Sequence, residues 1–202
     1  MCIRDSIKGE WFDGRLNSSL ALFRAIEKNG AESDYTTQCA TSADGFCYTD
    51  KGKVRAQGVE AEISGEVLER LQLFGGYTYT QTQSLSTIDV AKQGGTSNTY
   101  VPRHMLRVWG DYQLDGALSK WSVGTGVNAQ SSNYRVQTIK LEQPGYATWN
   151  ARLAYRVDDT WTVALNGNNL FDKTYYNTVG TASWGNFYGE PRNFTVSLKG
   201  NF

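Results

Sequence analysis

Phe194-Thr195-Val196-Ser197-Leu198-Lys199-Gly200-Asn201-Phe202 closes the chain with Phe194, Val196, Leu198 and Phe202 in one register and Thr195, Ser197, Lys199 and Asn201 in the other. A period of two gives one apolar and one polar face, the signature of a strand whose two sides meet different surroundings. The pattern recurs upstream. Ala147, Trp149, Ala151, Leu153, Tyr155 and Val157 interleave with Thr148, Asn150, Arg152 and Arg156, and Trp161, Val163 and Leu165 continue the series. Trp121, Val123 and Val127 alternate with Ser122, Gly124, Gly126 and Asn128; Leu106, Val108, Tyr112 and Leu114 alternate with Arg107, Trp109 and Asp111. Leu71, Leu73, Tyr77 and Tyr79 set against Gln72, Thr78 and Thr80, and Val59, Ala61 and Ile63 against Glu60, Glu62 and Ser64, complete it.

Composition narrows what such strands can build. The length of 202 residues suits one domain. Lys+Arg and Asp+Glu number 20 each, so no net basic field exists to hold a nucleic acid, and none is expected as a partner. Mean hydropathy is −0.49, and no apolar run approaches the roughly 20 residues of a helical span, which removes helical membrane proteins. Membrane β-barrels survive that test, because only alternate residues of a barrel strand face lipid. Gly 21, Tyr 12, Phe 8 and Trp 6 against Pro 3 is a β composition.

The connections carry the next step. Asp13-Gly14, Leu68-Glu69-Arg70, Asp115-Gly116-Ala117-Leu118 and Asp158-Asp159-Thr160 read as tight turns. Longer polar segments lie between them, roughly 31–52, 84–100, 135–144 and 177–186. Short and long connections thus alternate, which in an up-and-down meander sorts turns to one end and loops to the other, as in an outer-membrane barrel. Trp121 and Trp161 open strands beside short turns and Tyr155 closes one, where an interfacial girdle belongs. A soluble sandwich would bury its apolar face and need not sort its loops by length. Ser19 to Lys28, with an N-cap candidate and Gly30 beyond it, is locally helix-like, yet it is read as a strand, since a helix there would leave the next strand's apolar face uncovered. The expected fold is all-β, an antiparallel up-and-down transmembrane β-barrel.

Met1 to Ser6 fits no alternation and carries no secretory signal, so residues 1–8 are expected to be a non-native or unstructured leader, with residues 9–202 forming the barrel portion. Cys39 and Cys47 sit among Thr, Ser, Asp and Gly without CxxC or clustered His, so no metal site is expected, and a short loop-stapling disulfide is. That bond needs an oxidising compartment and therefore an export signal.

Asn168-Asn169-Leu170-Phe171-Asp172-Lys173-Thr174-Tyr175 is similar to the penultimate-strand signature of TonB-dependent outer-membrane receptors. Gly189-Glu190-Pro191-Arg192-Asn193-Phe194 opening the last strand, the terminal Phe202, Gly58-Val59-Glu60 and Tyr100-Val101-Pro102-Arg103-His104 resemble the same family. Tyr188-Gly189-Glu190-Pro191-Arg192 resembles its receptors for ferric hydroxamate, coprogen or ferripyoverdine-type siderophores. The resemblance implies a barrel of about 22 strands filled by an N-terminal plug, of which this chain is a C-terminal fragment with about eight full strands and a partial one at Gly9 to Phe12.

It also implies a transporter rather than an enzyme. A ferric siderophore would bind in an extracellular vestibule and enter when the TonB complex pulls on the plug; iron arrives chelated and no cofactor is bound directly. Tyr134, Arg135, Trp184, Phe187 and Tyr188 are the candidate ligand contacts, the alternative for each being an extracellular interface aromatic or a loop-packing residue. Glu60, Glu62, Arg107, Asp111, Arg152 and Arg156 would line the lumen and face the plug, or form ordinary cross-strand ion pairs. Asn169, Leu170, Phe171, Asp172, Lys173, Tyr175, Gly189, Pro191 and Arg192 carry the family motif. Phe194, Val196, Leu198 and Phe202 resemble the strand read by the barrel-assembly machinery. The implied location is the outer membrane, loops extracellular, C-terminus periplasmic and outer face on lipid. The alternatives are an independent eight-stranded barrel or porin-like channel, and, further off, an outer-membrane hydrolase, for which His104 would be the sole histidine base. Expressed alone, residues 1–202 are expected to aggregate without detergent, because strand edges and a broad apolar face stay uncovered. A monodisperse, heat-modifiable species in detergent would favour the eight-stranded reading instead.

Overall fold

A computed structural model describes residues 1–40, 42, 43, 45–136, 140–181 and 183–202. The strands in chain order are β1 (Cys2–Trp11), β2 (Leu16–Gln38), β3 (Phe46–Leu68), β4 (Leu71–Ser86), β5 (His104–Gln113), β6 (Trp121–Gln130), β7 (Asn133–Val136), β8 (Lys140–Gln143), β9 (Tyr146–Arg156), β10 (Trp161–Asn168), β11 (Tyr176–Thr178), β12 (Phe187–Tyr188) and β13 (Asn193–Gly200). Nine of them form one antiparallel sheet in the order β1-β2-β3-β4-β5-β6-β9-β10-β13. β7-β8 and β11-β12 are separate hairpins inside the long connections. Short turns join β1-β2, β3-β4, β5-β6 and β9-β10, so all of them lie at one end and the long connections at the other.

Directly opposed residues share a face, so register fixes the sidedness. One row reads Tyr112–Val123–Leu153–Leu165–Val196 across five strands, and another Leu20–Ala61–Tyr77–Leu106–Ala129–Ala147 across six. On the opposite face the row is Gln72–Asp111–Gly124–Arg152–Asn166–Thr195. The apolar rows are bare, with Leu22 59% and Val196 71% exposed, and among the described residues no large side chain is fully buried. A sandwich would cover these rows; a barrel in lipid leaves them outside. At the turn end, where the girdle is expected, Trp121 meets Tyr155 at 4.7 Å and Trp161 meets Phe202 at 5.5 Å between ring centroids.

On the polar face, charge pairs step over small residues. Arg152 Nη1 of β9 reaches Asp111 Oδ2 of β5 at 3.3 Å, across β6, where Gly124 stands between them. A Cβ on Gly124 would lie 2.6 Å from the Trp109 ring and 2.8 Å from Asp111 Oδ2, so a larger residue there would have to displace one or both. Arg4 of β1 likewise reaches Glu60 of β3 at 2.8 Å over β2, where Ala21 is buried. These pairs are partly solvated, and each stabilises by at most about 1 kcal/mol.

Three expectations change. Residues 2–8 belong to β1, in register with β2 from Cys2↔Ala25 onward, so no unstructured leader precedes Gly9: backbone pairing needs no side-chain alternation. The segment expected to loop over 31–52 is mostly strand, because β2 and β3 run on to Gln38 and from Phe46, where water wets both faces and removes the period-two signal. The loops expected over 135–144 and 177–186 contain parts of the two small hairpins; positions 41, 44, 137–139 and 182 of the long connections lie outside the described residues. The sheet has the expected eight strands and one more, β1, longer than the partial strand expected at Gly9 to Phe12, with β1 and β13 at its ends; the closed eight of the alternative barrel is not found. Ser19 to Lys28, despite its helix formers, is strand.

Residues of the Asn168–Tyr175 stretch tie β10 to the entry of β13. Asn169, 4% exposed at φ +48°, donates from its backbone N–H to Asn150 Oδ1. Its Nδ2 donates to the Lys173 and Glu190 carbonyls at 2.9 and 3.0 Å, while its Oδ1 accepts the Lys173 N–H at 2.9 Å. Asp172 Oδ1 accepts the Arg192 N–H at 2.9 Å, and Asn168 Nδ2 donates to Asn193 Oδ1 at 2.9 Å. Tyr175 stacks on Tyr146 at 4.2 Å and covers Gly189 so closely that any Cβ there would sit 2.0 Å from the ring. Leu170 donates its N–H to the Trp149 carbonyl, Phe171 packs edge-on to Trp149, and Pro191 offers its carbonyl to Asn193. Asn169→Ala strips three side-chain hydrogen bonds and is expected to cost about 2–4 kcal/mol, with Asn169→Asp, which keeps the acceptor, intermediate; urea titration of the full-length protein that carries this chain, folded in detergent, measures both.

Candidate functional site

Two regions hold the candidate residues. At the loop end, β7-β8 presents Tyr134 and Arg135, whose partners in register are Glu142 and Leu141. Tyr134 donates its N–H to the Thr99 carbonyl, and Lys140 Nζ sits 4.6 Å above its ring. The Glu142 carboxylate at 2.7 Å holds Lys140 protonated above its usual range. The second hairpin, β11-β12, exposes Phe187 and Tyr188, with Trp184 in the turn before them at 73% exposure. Tyr188 stacks on Tyr176 at 4.6 Å with their hydroxyls 3.2 Å apart. Gln143 Oε1, accepting the Tyr176 N–H at 2.8 Å, ties one hairpin to the other.

The structure therefore brings Phe187 and Tyr188 together and keeps Tyr134 and Arg135 on a neighbouring hairpin. Tyr134 also lines a cleft of about 290 Å³ with Thr80, Thr82, Asn98, Arg103 and His104. Its hydroxyl-rich wall went unnoticed in the sequence because Thr and Ser in polar connections carry no periodic signal. His104 engages its ring with Tyr77, Nδ1 to Oη at 2.7 Å, and packs at 4.9 Å from Tyr79. The nearby Ser131 hydroxyl accepts the His104 backbone N–H at 3.1 Å.

Above this end β2 and β3 extend as an arm whose tip is closed by the Cys39–Cys47 disulfide, with Cα atoms 5.1 Å apart. Near the tip Asp34 Oδ1 accepts the Thr36 hydroxyl at 2.6 Å together with the Thr36 and Thr37 N–H groups. The Thr36 hydroxyl leads in lowering its pKa to about 2. This local stabilisation is complete above the ordinary aspartate pKa of 3.8 and disappears only as pH falls through about 2.

The second region is the polar face. Register puts Glu60, Glu62, Arg107, Asp111, Arg152 and Arg156 together on it. Glu60 pairs with Arg4, Asp111 with Arg152, and Glu62 accepts the Ser19 hydroxyl. Arg107 and Arg156 have no ion-pair partner among the described residues. Sequence reasoning placed Trp109 in the polar register without drawing on it, and missed Phe74, which shares that face. An aromatic out of phase in a period-two strand was the available signal. Phe194, Val196 and Leu198 lie exposed on the apolar face of β13, with Phe202 beyond it against Trp161.

This geometry has counterparts. The family described as TonB dependent receptor-like, beta-barrel matches residues 6–170. The ferric-pyoverdine M114 receptor PbuA of Pseudomonas sp. strain M114 is 58% identical over 199 residues, covering 97% of this chain and 24% of its own length. The ferripyoverdine receptor of Pseudomonas aeruginosa is 35% identical over 204 residues, covering 97% and 24%. A solved structure of P. aeruginosa FpvA bound to a heterologous pyoverdine with iron superposes with a TM-score of 0.86 at 33% identity, covering 100% of this chain and 27% of that one. The chain thus spans about a quarter of the length of these relatives. With a family match across most of its length and the same sheet in a solved member, this chain belongs to the TonB-dependent receptor family, and its nine strands correspond to part of that family's outer-membrane β-barrel.

Proposed function

We propose that the receptor containing this chain imports a ferric siderophore of the pyoverdine class across the outer membrane, driven by the TonB complex through the plug domain. The observation that carries this is 58% identity, over nearly the whole chain, to a ferric-pyoverdine receptor. The geometry supports it. The bare apolar face suits lipid, the polar face suits a barrel lumen, and the loop end offers exposed aromatic rings, hydroxyls and a cation to a large polar chelate. Long connections and the disulfide-closed arm face the exterior, and the short turns and C-terminus face the periplasm. Tyr134, Arg135, Trp184, Phe187 and Tyr188 contact the siderophore by stacking and hydrogen bonding. Glu60, Glu62, Arg107, Asp111, Arg152 and Arg156 line the lumen. Phe194, Val196, Leu198 and Phe202 present the last strand to the barrel-assembly machinery. Iron is cargo, coordinated by the siderophore, and the chain needs no resident metal and performs no covalent chemistry.

Replacing the matching quarter of the M114 receptor with residues 1–202, in a strain lacking its own pyoverdine receptor, is expected to give uptake of radiolabelled ferric pyoverdine that stops when TonB is deleted. Tyr188→Ala in that receptor is expected to weaken binding about tenfold, or ~1.4 kcal/mol. Uptake persisting without TonB would support a passive channel, and an inserted barrel that binds no ferric pyoverdine would sink the reading.

A further inference from the structure

On the apolar face, register draws a sharp boundary toward the loop end of β2, β3 and β4. The last apolar row is Leu22–Val59–Tyr79, ended on β5 by His104, whose ring lies 4.9 Å from that of Tyr79. Beyond it the same face reads Arg24–Gln57–Gln81, then Ile26–Arg55–Gln83, then Lys28–Lys53. Four cations and three amides thus crowd onto adjoining strands with no carboxylate in these rows. Arg24 and Lys28 are exposed, and Lys53 and Arg55 are partly so.

Nothing in the described residues neutralises this patch. Arg55 Nη2 donates to Gln83 Oε1, but none of the four cations makes an ion pair among the described residues. Asp5, on the same face opposite Leu22, is not paired with Arg24. Lys28 and Lys53 stand directly opposite one another, and like charges about 5 Å apart at Cβ destabilise a strand pair unless an anion lies between them. The position of the patch says which anion. It continues the lipid-facing rows on the same side of the sheet, so it faces the surface layer of the membrane and not the lumen. With about 7 Å between rows along tilted strands, its three rows stand roughly 5, 10 and 15 Å above the apolar band. Simple phospholipid headgroups fill a zone only about 5–8 Å deep on each side. The lysine pair stands beyond that zone, within reach of a phosphate carried on sugars.

We infer that this patch is a seat for a membrane lipid whose phosphates are carried on a sugar headgroup. Its acyl chains lie along Leu22, Val59 and Tyr79, one phosphate sits between the diagonal neighbours Arg24 and Arg55, and a second bridges Lys28 and Lys53. Gln57, Gln81 and Gln83 offer their amides to the sugar hydroxyls. The inference rests on placing the sheet in the outer membrane with its loop end outward.

The full-length protein that carries this chain, purified in detergent, tests it with diphosphorylated lipid A as the probe. Native mass spectrometry is expected to show one retained lipid A, held about tenfold more tightly than the same glycolipid stripped of phosphate or than phosphatidylglycerol. Arg24→Gln, Lys28→Gln, Lys53→Gln and Arg55→Gln together are expected to weaken that binding about a hundredfold. Should the fourfold variant fail to assemble, the pairs Arg24→Gln with Arg55→Gln and Lys28→Gln with Lys53→Gln are each expected to weaken it about tenfold. Equal lipid A binding by parent and variants, or equal binding of the dephosphorylated glycolipid, overturns the seat. Phosphatidylglycerol held as tightly as lipid A overturns the sugar-borne phosphate, and displacement of lipid A by millimolar inorganic phosphate overturns the lipid as occupant. Ferric-pyoverdine uptake, and antibody access on intact cells to a tag inserted after Gly94 in the β4–β5 connection, are scored separately. Lipid A binding without uptake upholds the seat while refuting the siderophore reading, and binding with the tag out of reach refutes the outward placement. Uptake without lipid A binding refutes the seat alone.

Discussion

Every backbone N–H and C=O that lies in hydrocarbon must find a partner within the protein, and the rest of this structure follows from that constraint. Strand pairs satisfy it only in fixed register, from Cys2↔Ala25 at one end of the sheet to Trp161↔Gly200 at the other. Since side chains alternate, one register choice commits each strand's apolar set to one face, and a slip of one residue would turn Val196 and Leu198 into the lumen. The hydrogen bonds around Asn169 guard that choice where the chain must leave β10, cross a long connection and return as β13.

The polar face is organised by what its small residues omit. Gly124 lets Asp111 and Arg152 meet across an intervening strand and lets Trp109 lie flat, and Ala21 lets Arg4 and Glu60 do the same. A side chain at Gly124 would press on the Trp109 ring and on the Asp111 carboxylate that Arg152 reaches. On the same face Arg107 has no ion-pair partner among the described residues, and Phe74 stands half-exposed opposite Trp109.

Much of this was legible. Period two at Phe194–Phe202 and Ala147–Val157 identified strands and their sidedness, and the alternation of short and long connections gave the meander. Helix formers at Ser19–Lys28 did not mislead, because neighbours on both sides demanded a strand. The polar arm beyond Gly30, the strand character of residues 2–8 and the two small hairpins were not legible. Their strand pairing comes from backbone hydrogen bonds in register, and none of these segments carries a period-two apolar face that would write an alternation into the sequence.

By itself, then, the sequence determined the fold class, the two faces and the residues of the Asn169 motif, since each depends on local period or on a contiguous signature. Only the tertiary structure decided which residues meet: Arg152 with Asp111 over Gly124, Tyr175 over Gly189, Tyr176 beside Tyr188, Phe74 opposite Trp109. The reason is physical. These contacts join positions far apart in the chain, and their geometry is set by the register between strands, which no single strand's sequence contains.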